Sequence, residues 1–308
     1  MIDAFTTLLS SPMMQRSLLA ALIVGLTAPI IGTYLVHRRL AMLGDGIGHI
    51  SLTGVALGWL VGAFANVSPA DSWAIPGAVI ISLLGAITIE LVRQSGRTSG
   101  DTALAMLFYG GIAGGVLLIG LAGGTSAQLN SYLFGSISTV RWSDITLITI
   151  LGIAIVALGI GLAPALFSVT NDEDFARSTG LPVRTLSLLI AVLSALTVAV
   201  AMRVVGSLLV SALMVIPVAI AQLGARSFRS TMGIAMALGV VICMSGLSLT
   251  YFIDLSPGAT IVVGAIALYA IGFGIRAIVD RIRRVRRLRA ARGHNQHPER
   301  EHLAHADA

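Results

Sequence analysis

Residues 43–62 read LGDGIGHISLTGVALGWLVG. As a helix rising 1.5 Å per residue, a run of about 20 residues covers the roughly 30 Å hydrocarbon core of a bilayer. Apart from Asp45 and His49 the stretch carries no ionisable group, so its composition is that of a membrane span. The two exceptions stand four residues apart, which puts both side chains on one helix face, a turn from each other. Ionisable groups in a span are expensive and by default face a cavity or a pathway. Either the two pair structurally or cap the helix at the interface just after Arg38 and Arg39, or they form a transient site for a cation.

The rest of the chain repeats this pattern. Of its 308 residues, 56% are hydrophobic and 11% charged, against about 25% charged in soluble domains. Mean hydropathy is +0.92. Nine apolar runs are expected to cross: 17–36, 47–65, 74–92, 102–121, 145–166, 185–202, 205–223, 231–252 and 259–278. They are too long for barrel strands, and helices alone satisfy their backbone within lipid. The fold class is therefore an all-α polytopic membrane protein with eight to nine transmembrane helices. Only Arg203 and its neighbours separate the sixth and seventh runs, so 185–223 can be a re-entrant or broken arrangement. Pro164 and Pro217 fall inside or at the ends of runs, where a proline frees a carbonyl and bends a helix. The many glycines, as in GGIAGG at 110–115, suit close helix packing in lipid.

Arginine placement orients the bundle. With the N-terminus outside, inner loops hold Arg38, Arg39, Arg93, Arg97, Arg177, Arg184, Arg226 and Arg229, and the tail from Arg276 adds nine more. Only Arg16, Arg141 and Arg203 fall outside. The C-terminus is then cytoplasmic, with a transmembrane domain over 1–280 and a basic, partly disordered tail over 281–308. Within that tail RIRRVRRLRAAR, 281–292, suits anionic headgroups, not nucleic acid. The last segment holds four of the six histidines, as a polar end or a metal-binding one.

Several functions are excluded. All 20 basic residues are arginine, so the phosphate-binding G-x-x-x-x-G-K-[ST] loop cannot occur, and any ATP is hydrolysed by another chain. The single cysteine, Cys243, rules out an intramolecular disulfide and a cysteine cluster. Met1–Ser11 lacks the basic start of a cleavable signal peptide. No H-E-x-x-H appears, and His49 is the only histidine well inside a run, which argues against an intramembrane metalloprotease. No internal repeat marks an ion-coupled secondary transporter.

Two segments carry chemistry. Carboxylate oxygen with imidazole nitrogen, as in Asp45 and His49, suits Zn²⁺ or Mn²⁺ better than Ca²⁺ or Mg²⁺. Two ligands bind weakly, and a second copy sharing an axis would give four. The other segment is NDEDFARSTGLPVRTLS, 171–187, the most charged before the tail. It predicts a short helix over 172–179 stopped by Gly180 and Pro182, either a solvated loop or a docking element for a soluble partner.

On five stretches the chain resembles the permease subunit of bacterial ABC importers for zinc and manganese, the ABC-3 type metal permeases. These are RRLAMLGDGIGHISLTGVALG at 38–58, NSYLFGSISTVRWSDI at 130–145, DEDFARSTGLPVRTL at 172–186, AVAMRVVGSLLVSALMVIPVAIA at 199–221 and SPGATIVV at 256–263. They cover nearly all the chain except the tail, and G-D-x-x-x-H is the most specific. The resemblance implies a homodimer in the bacterial cytoplasmic membrane, ABC ATPase subunits, and an extracytoplasmic metal-binding solute-binding protein. It implies Zn²⁺ or Mn²⁺ as cargo, no permanently bound cofactor, and no enzymatic activity in this chain. It makes Asp45 and His49 pathway residues. It also makes Asp172, Glu173, Asp174, Ala176, Arg177, Gly180, Leu181 and Pro182 an ATPase-coupling segment, about 172–182. Two departures stand out. Tyr109 occupies a position where some zinc-type members have histidine, leaving zinc against manganese open, and the basic tail exceeds the usual family ending. A permease for a metal chelate (siderophore, haem or cobalamin) is the alternative, which the Asp-His pair disfavours.

Overall fold

The computed structural model describes residues 10–65, 70–96, 99–123, 125–136, 140–253 and 255–295. These form twelve α-helices: α1 Pro12–His37, α2 Ala41–Phe64, α3 Ala74–Ser95, α4 Gly100–Leu121, α5 Ser126–Phe134, α6 Trp142–Gly161, α7 Ala163–Asn171, α8 Glu173–Ser178, α9 Val183–Val205, α10 Val210–Gln222, α11 Phe228–Phe252 and α12 Pro257–Asn295. One turn of 3-10 helix, Ala70–Trp73, precedes α3. Eight of the helices are long and apolar enough to cross a membrane.

The expected seventh run, 205–223, takes the broken form in the structure and is shorter than a full crossing. Its helix is α10, 13 residues long, and at 1.5 Å per residue it rises only about 20 Å. The chain breaks at Gly206, whose φ of +89° lies in the region that favours glycine. The freed backbone pairs elsewhere: Ser207 N donates to Tyr132 O at 2.9 Å and Leu208 N to Leu133 O at 3.2 Å, both at the end of α5. Irregular backbone at membrane depth is tolerated only when buried in protein like this. The expected fifth crossing, 145–166, also ends early, at Gly161, because Pro164 sits in the first turn of a new helix, α7.

Helix α1 is the most enclosed element, together with α9. Tyr34 is wholly buried and its hydroxyl donates to Gly159 O on α6 at 2.6 Å. At the same end of the bundle, Phe228 of α11 packs on the rings of Tyr34, His37 and Phe167. Arg276 of α12 donates to Gln222 O there at 3.4 Å. The ends of α1 and α10, the start of α11 and the middle of α12 at Arg276 thus share one end with α7, while Arg16 lies over the Trp142 ring at the start of α6. α12 continues unbroken past position 280 to Asn295. The tail histidines His297, His302 and His305 lie outside the described residues.

Candidate functional site

Helix α2 carries Asp45 and His49 about one and two turns from its start, with α3, α4, α9 and α10 packed around it. Close approach of α4 depends on glycine: a Cβ on Gly111 would stand 2.6 Å from the backbone carbon of His49. The His49 Nε2–Asp45 Oδ1 distance is 3.8 Å. At about 2.1 Å per metal–ligand bond, those two atoms subtend roughly 130° at one ion, wide of tetrahedral but within reach of a small rotamer adjustment. His49 is 2% exposed, and its Nδ1 is buried without a hydrogen-bond partner. Its ring meets Phe108 of α4 edge-on, with centroids 4.2 Å apart. Asp45 is more open and accepts a hydrogen bond from Ser211 Oγ of α10 at 3.1 Å.

Asp45 lines a groove of about 380 Å³ with Met42, Asp101, Leu104, Phe108 and Tyr109. Tyr109 is largely exposed, its ring edge-on to Phe108. Among the described residues, no cluster of three or more His, Cys, Asp or Glu side chains could hold a metal ion. One chain therefore offers two candidate ligand atoms here, with room on the open side for water or for groups from another chain.

The second expected segment forms α8 as its punctuation predicts. Asp172 caps it, its carboxylate accepting from Asp174 N at 3.0 Å and Phe175 N at 2.9 Å. Gly180, at φ +82°, turns the chain out, and Pro182 caps α9. Leu181 N donates back to Ala176 O at 3.1 Å. The eight expected residues do not share a face. Asp174 and Arg177 point outward, joined at 3.5 Å, whereas Ala176 is fully buried in the core. Glu173 turns inward to Arg38 and Arg93. Phe175, absent from the expected set, is 61% exposed beside Asp174 and Arg177.

Comparisons with known proteins agree with this architecture. The ABC 3 transport family model matches residues 10–276. The manganese transport system membrane protein MntC of Halalkalibacterium halodurans is 32% identical over 269 residues, 87% of this chain and 89% of that protein. The high-affinity zinc uptake system membrane protein ZnuB of Haemophilus influenzae is 29% identical over 255 residues, 83% and 94% of the two chains. A solved structure, PsaBC from Streptococcus pneumoniae in complex with Fab, superposes with a TM-score of 0.78 at 30% identity, covering 89% of this chain and 95% of that one. With its described helices, its long-range packing and nearly its whole length accounted for in this way, the chain belongs to the ABC 3 transport family.

Proposed function

We propose that this protein is the permease subunit of an ATP-driven importer for a divalent transition-metal ion, manganese or zinc, in the bacterial cytoplasmic membrane. The observation that carries it is the Asp45–His49 pair, 3.8 Å apart and bordering an open groove, in a chain whose named relatives serve manganese and zinc. The relatives' names do not favour a chelate as cargo.

Asp45 supplies the charge that attracts a cation, and Ser211 orients its carboxylate. His49 supplies a nitrogen held in place by the Phe108 ring. A second copy placing the same face across the groove would complete a four-ligand set, and a set split between two chains opens when they part. The arginine count puts the N-terminus outside and the C-terminus inside, which makes nine traverses: the eight long helices and the short α10, which carries the chain from the break at Gly206 to the end where Gln222 meets Arg276. ATP binds and is hydrolysed on a separate ABC subunit seated on α8, with Phe175, Asp174 and Arg177 presented to it. An extracytoplasmic binding protein delivers the ion from the other side.

Asp45→Asn keeps size and loses charge; His49→Ala removes the nitrogen. Both are expected to cut uptake of radiolabelled Mn²⁺ and Zn²⁺ in metal-starved cells while the assembled complex stays at its usual level. Normal uptake per complex in both variants would remove the pair from the ion's path.

A further inference from the structure

Glu173 opens α8, yet it does not face outward. Its carboxylate Oε1 accepts from Arg38 Nη2 and, at 3.4 Å, from Arg93 Nη2. Arg38 is the residue that ends α1; its side chain is 6% exposed and also donates to Ser187 Oγ of α9 at 2.6 Å. Arg93, on α3, grips both oxygens of Glu90 at 3.0 and 2.8 Å. Glu90 is 3% exposed and takes a further bond from Gln94, which reaches Arg184 O on α9. Two arginines and two glutamates thus join α1, α3, α8 and α9 in one charge-balanced cluster. A cavity of about 220 Å³ beside it is lined by Arg93, Gln94, Glu173, Arg177, Arg184 and Ser187, with Val183 the one apolar side chain, so the contacts that hold α8 on that side are mostly polar.

The other end of the link is stiff. Only residues 38–40 separate α1 from α2. Leu40 N donates to Leu35 O at 2.8 Å and Arg39 N to Val36 O at 3.1 Å, and Arg39 has a φ of +58°. Such a turn passes a displacement of Arg38 directly to the start of α2, where Asp45 lies about one turn in. Buried ion pairs are weak evidence for stability, since apolar replacements often do as well or better; in some proteins they fix a particular geometry instead.

We propose that Glu173 is the positioning residue that ties α8 to the α1–α2 turn and to α3, so that movement imposed on α8 from outside the bundle reaches Asp45 and His49. This rests on α8 being the ATPase-docking segment and Asp45 and His49 lying on the ion's path. It gives α8 two roles: Phe175 and Asp174, with Arg177 at the edge between them and Glu173, receive the partner, and Glu173 conveys its motion.

The test uses the complete complex of permease, ATPase and binding protein in proteoliposomes, reading three quantities: ATPase retained on purification, ATP hydrolysed, and Mn²⁺ or Zn²⁺ imported per ATP. Glu173→Gln keeps the size of the side chain. It is expected to retain the ATPase and its hydrolysis while import per ATP falls about tenfold, the scale of an intramolecular coupling. The charge exchange Glu173→Arg with Arg38→Glu is expected to recover a large part of that ratio, whereas each single reversal does not. An unchanged ratio in Glu173→Gln overturns the proposal. So does loss of the assembled complex without recovery in the exchange, which marks a structural bond only. Phe175→Ala separates the underlying assumption: it is expected to release the ATPase. If Phe175→Ala retains the ATPase and imports normally, docking at α8 is wrong; if it releases the ATPase while Glu173→Gln couples normally, only the Glu173 link is wrong.

Discussion

Gly111→Ala tests whether the backbone contact between α4 and α2 sets the geometry of His49. The added methyl would stand 2.6 Å from both His49 C and Ile50 N and 2.8 Å from His49 O, where ordinary contact begins at 3.4 Å. All three atoms are backbone, so no rotamer change relieves the clash and the helices must part by the difference, 3.4 − 2.6 = 0.8 Å. Overpacking of this kind costs about 1–3 kcal/mol. Alanine's advantage over glycine within a helix returns up to about 1 kcal/mol. With that return in full, the net expectation is a loss of about 1 kcal/mol, the middle of a range of roughly 0–2. Moving α4 outward also carries Phe108 away from the His49 ring, now 4.2 Å distant between centroids. Gly120→Ala, on the same helix with nothing within 4 Å of the new methyl, is the control. Thermal unfolding followed by size-exclusion chromatography in detergent measures stability, and radiolabelled Mn²⁺ uptake measures function. Gly111→Ala is expected to melt earlier and import less, with Gly120→Ala matching the parent in both. If Gly111→Ala melts and imports like Gly120→Ala, the close approach does not hold His49.

Three further outcomes are expected. His49→Asp replaces nitrogen by oxygen, which disfavours Zn²⁺ relative to Mn²⁺; the ratio of residual Mn²⁺ to Zn²⁺ uptake should rise, and a fall would contradict a ligand role for His49. In a Cys243→Ser background, Ser72→Cys, between α2 and α3, should react with an impermeant thiol reagent on whole cells and Ser178→Cys, on α8, should not; the reverse pattern inverts the orientation. Burial pushes the Glu173 carboxyl up, but hydrogen bonds from Arg38, its charge and those of Arg93 outweigh this and hold it below the usual value of 4.5. A depressed carboxylate stabilises above its ordinary range and loses that contribution only as pH falls below it. Import per ATP should therefore stay level as the inner face is acidified from about pH 7.5 to 6. A titration in that window that disappears in Glu173→Gln would mean the carboxylate is protonated there.

Run length and punctuation made much of the fold legible. The eight long helices follow from long apolar stretches with few charges, and the end of α8 follows from Gly180 and Pro182. The short α10 was harder, because hydropathy reports how apolar a stretch is and not how deep it reaches. Its limit is set by the break at Gly206 and by pairing with α5, an element whose sequence, SAQLNSYLF, has no long apolar run. Within the site, Asp45 and His49 were visible as ionisable residues a turn apart. Ser211 and Phe108 were not, since nothing local links positions 211 and 108 to α2. Glu90 did leave a signal, a lone carboxylate inside the third apolar run, and such a residue asks for a partner. The partners are Arg93 and Gln94, which lie one turn on, with Glu173 beyond them through Arg93.

Helix α12 has a steric consequence for whatever approaches the bundle. Its 39 residues make a rod about 58 Å long, nearly twice the depth of the hydrocarbon core. The excess emerges at the end where Arg276 meets Gln222, the end that also carries Phe228 and α7. A soluble subunit arriving at this end cannot swing freely around the bundle axis, because a stiff, arginine-bearing column stands in part of the circle. The column acts as a keying post: it leaves open a restricted sector of approach to anything that docks at this end of the bundle.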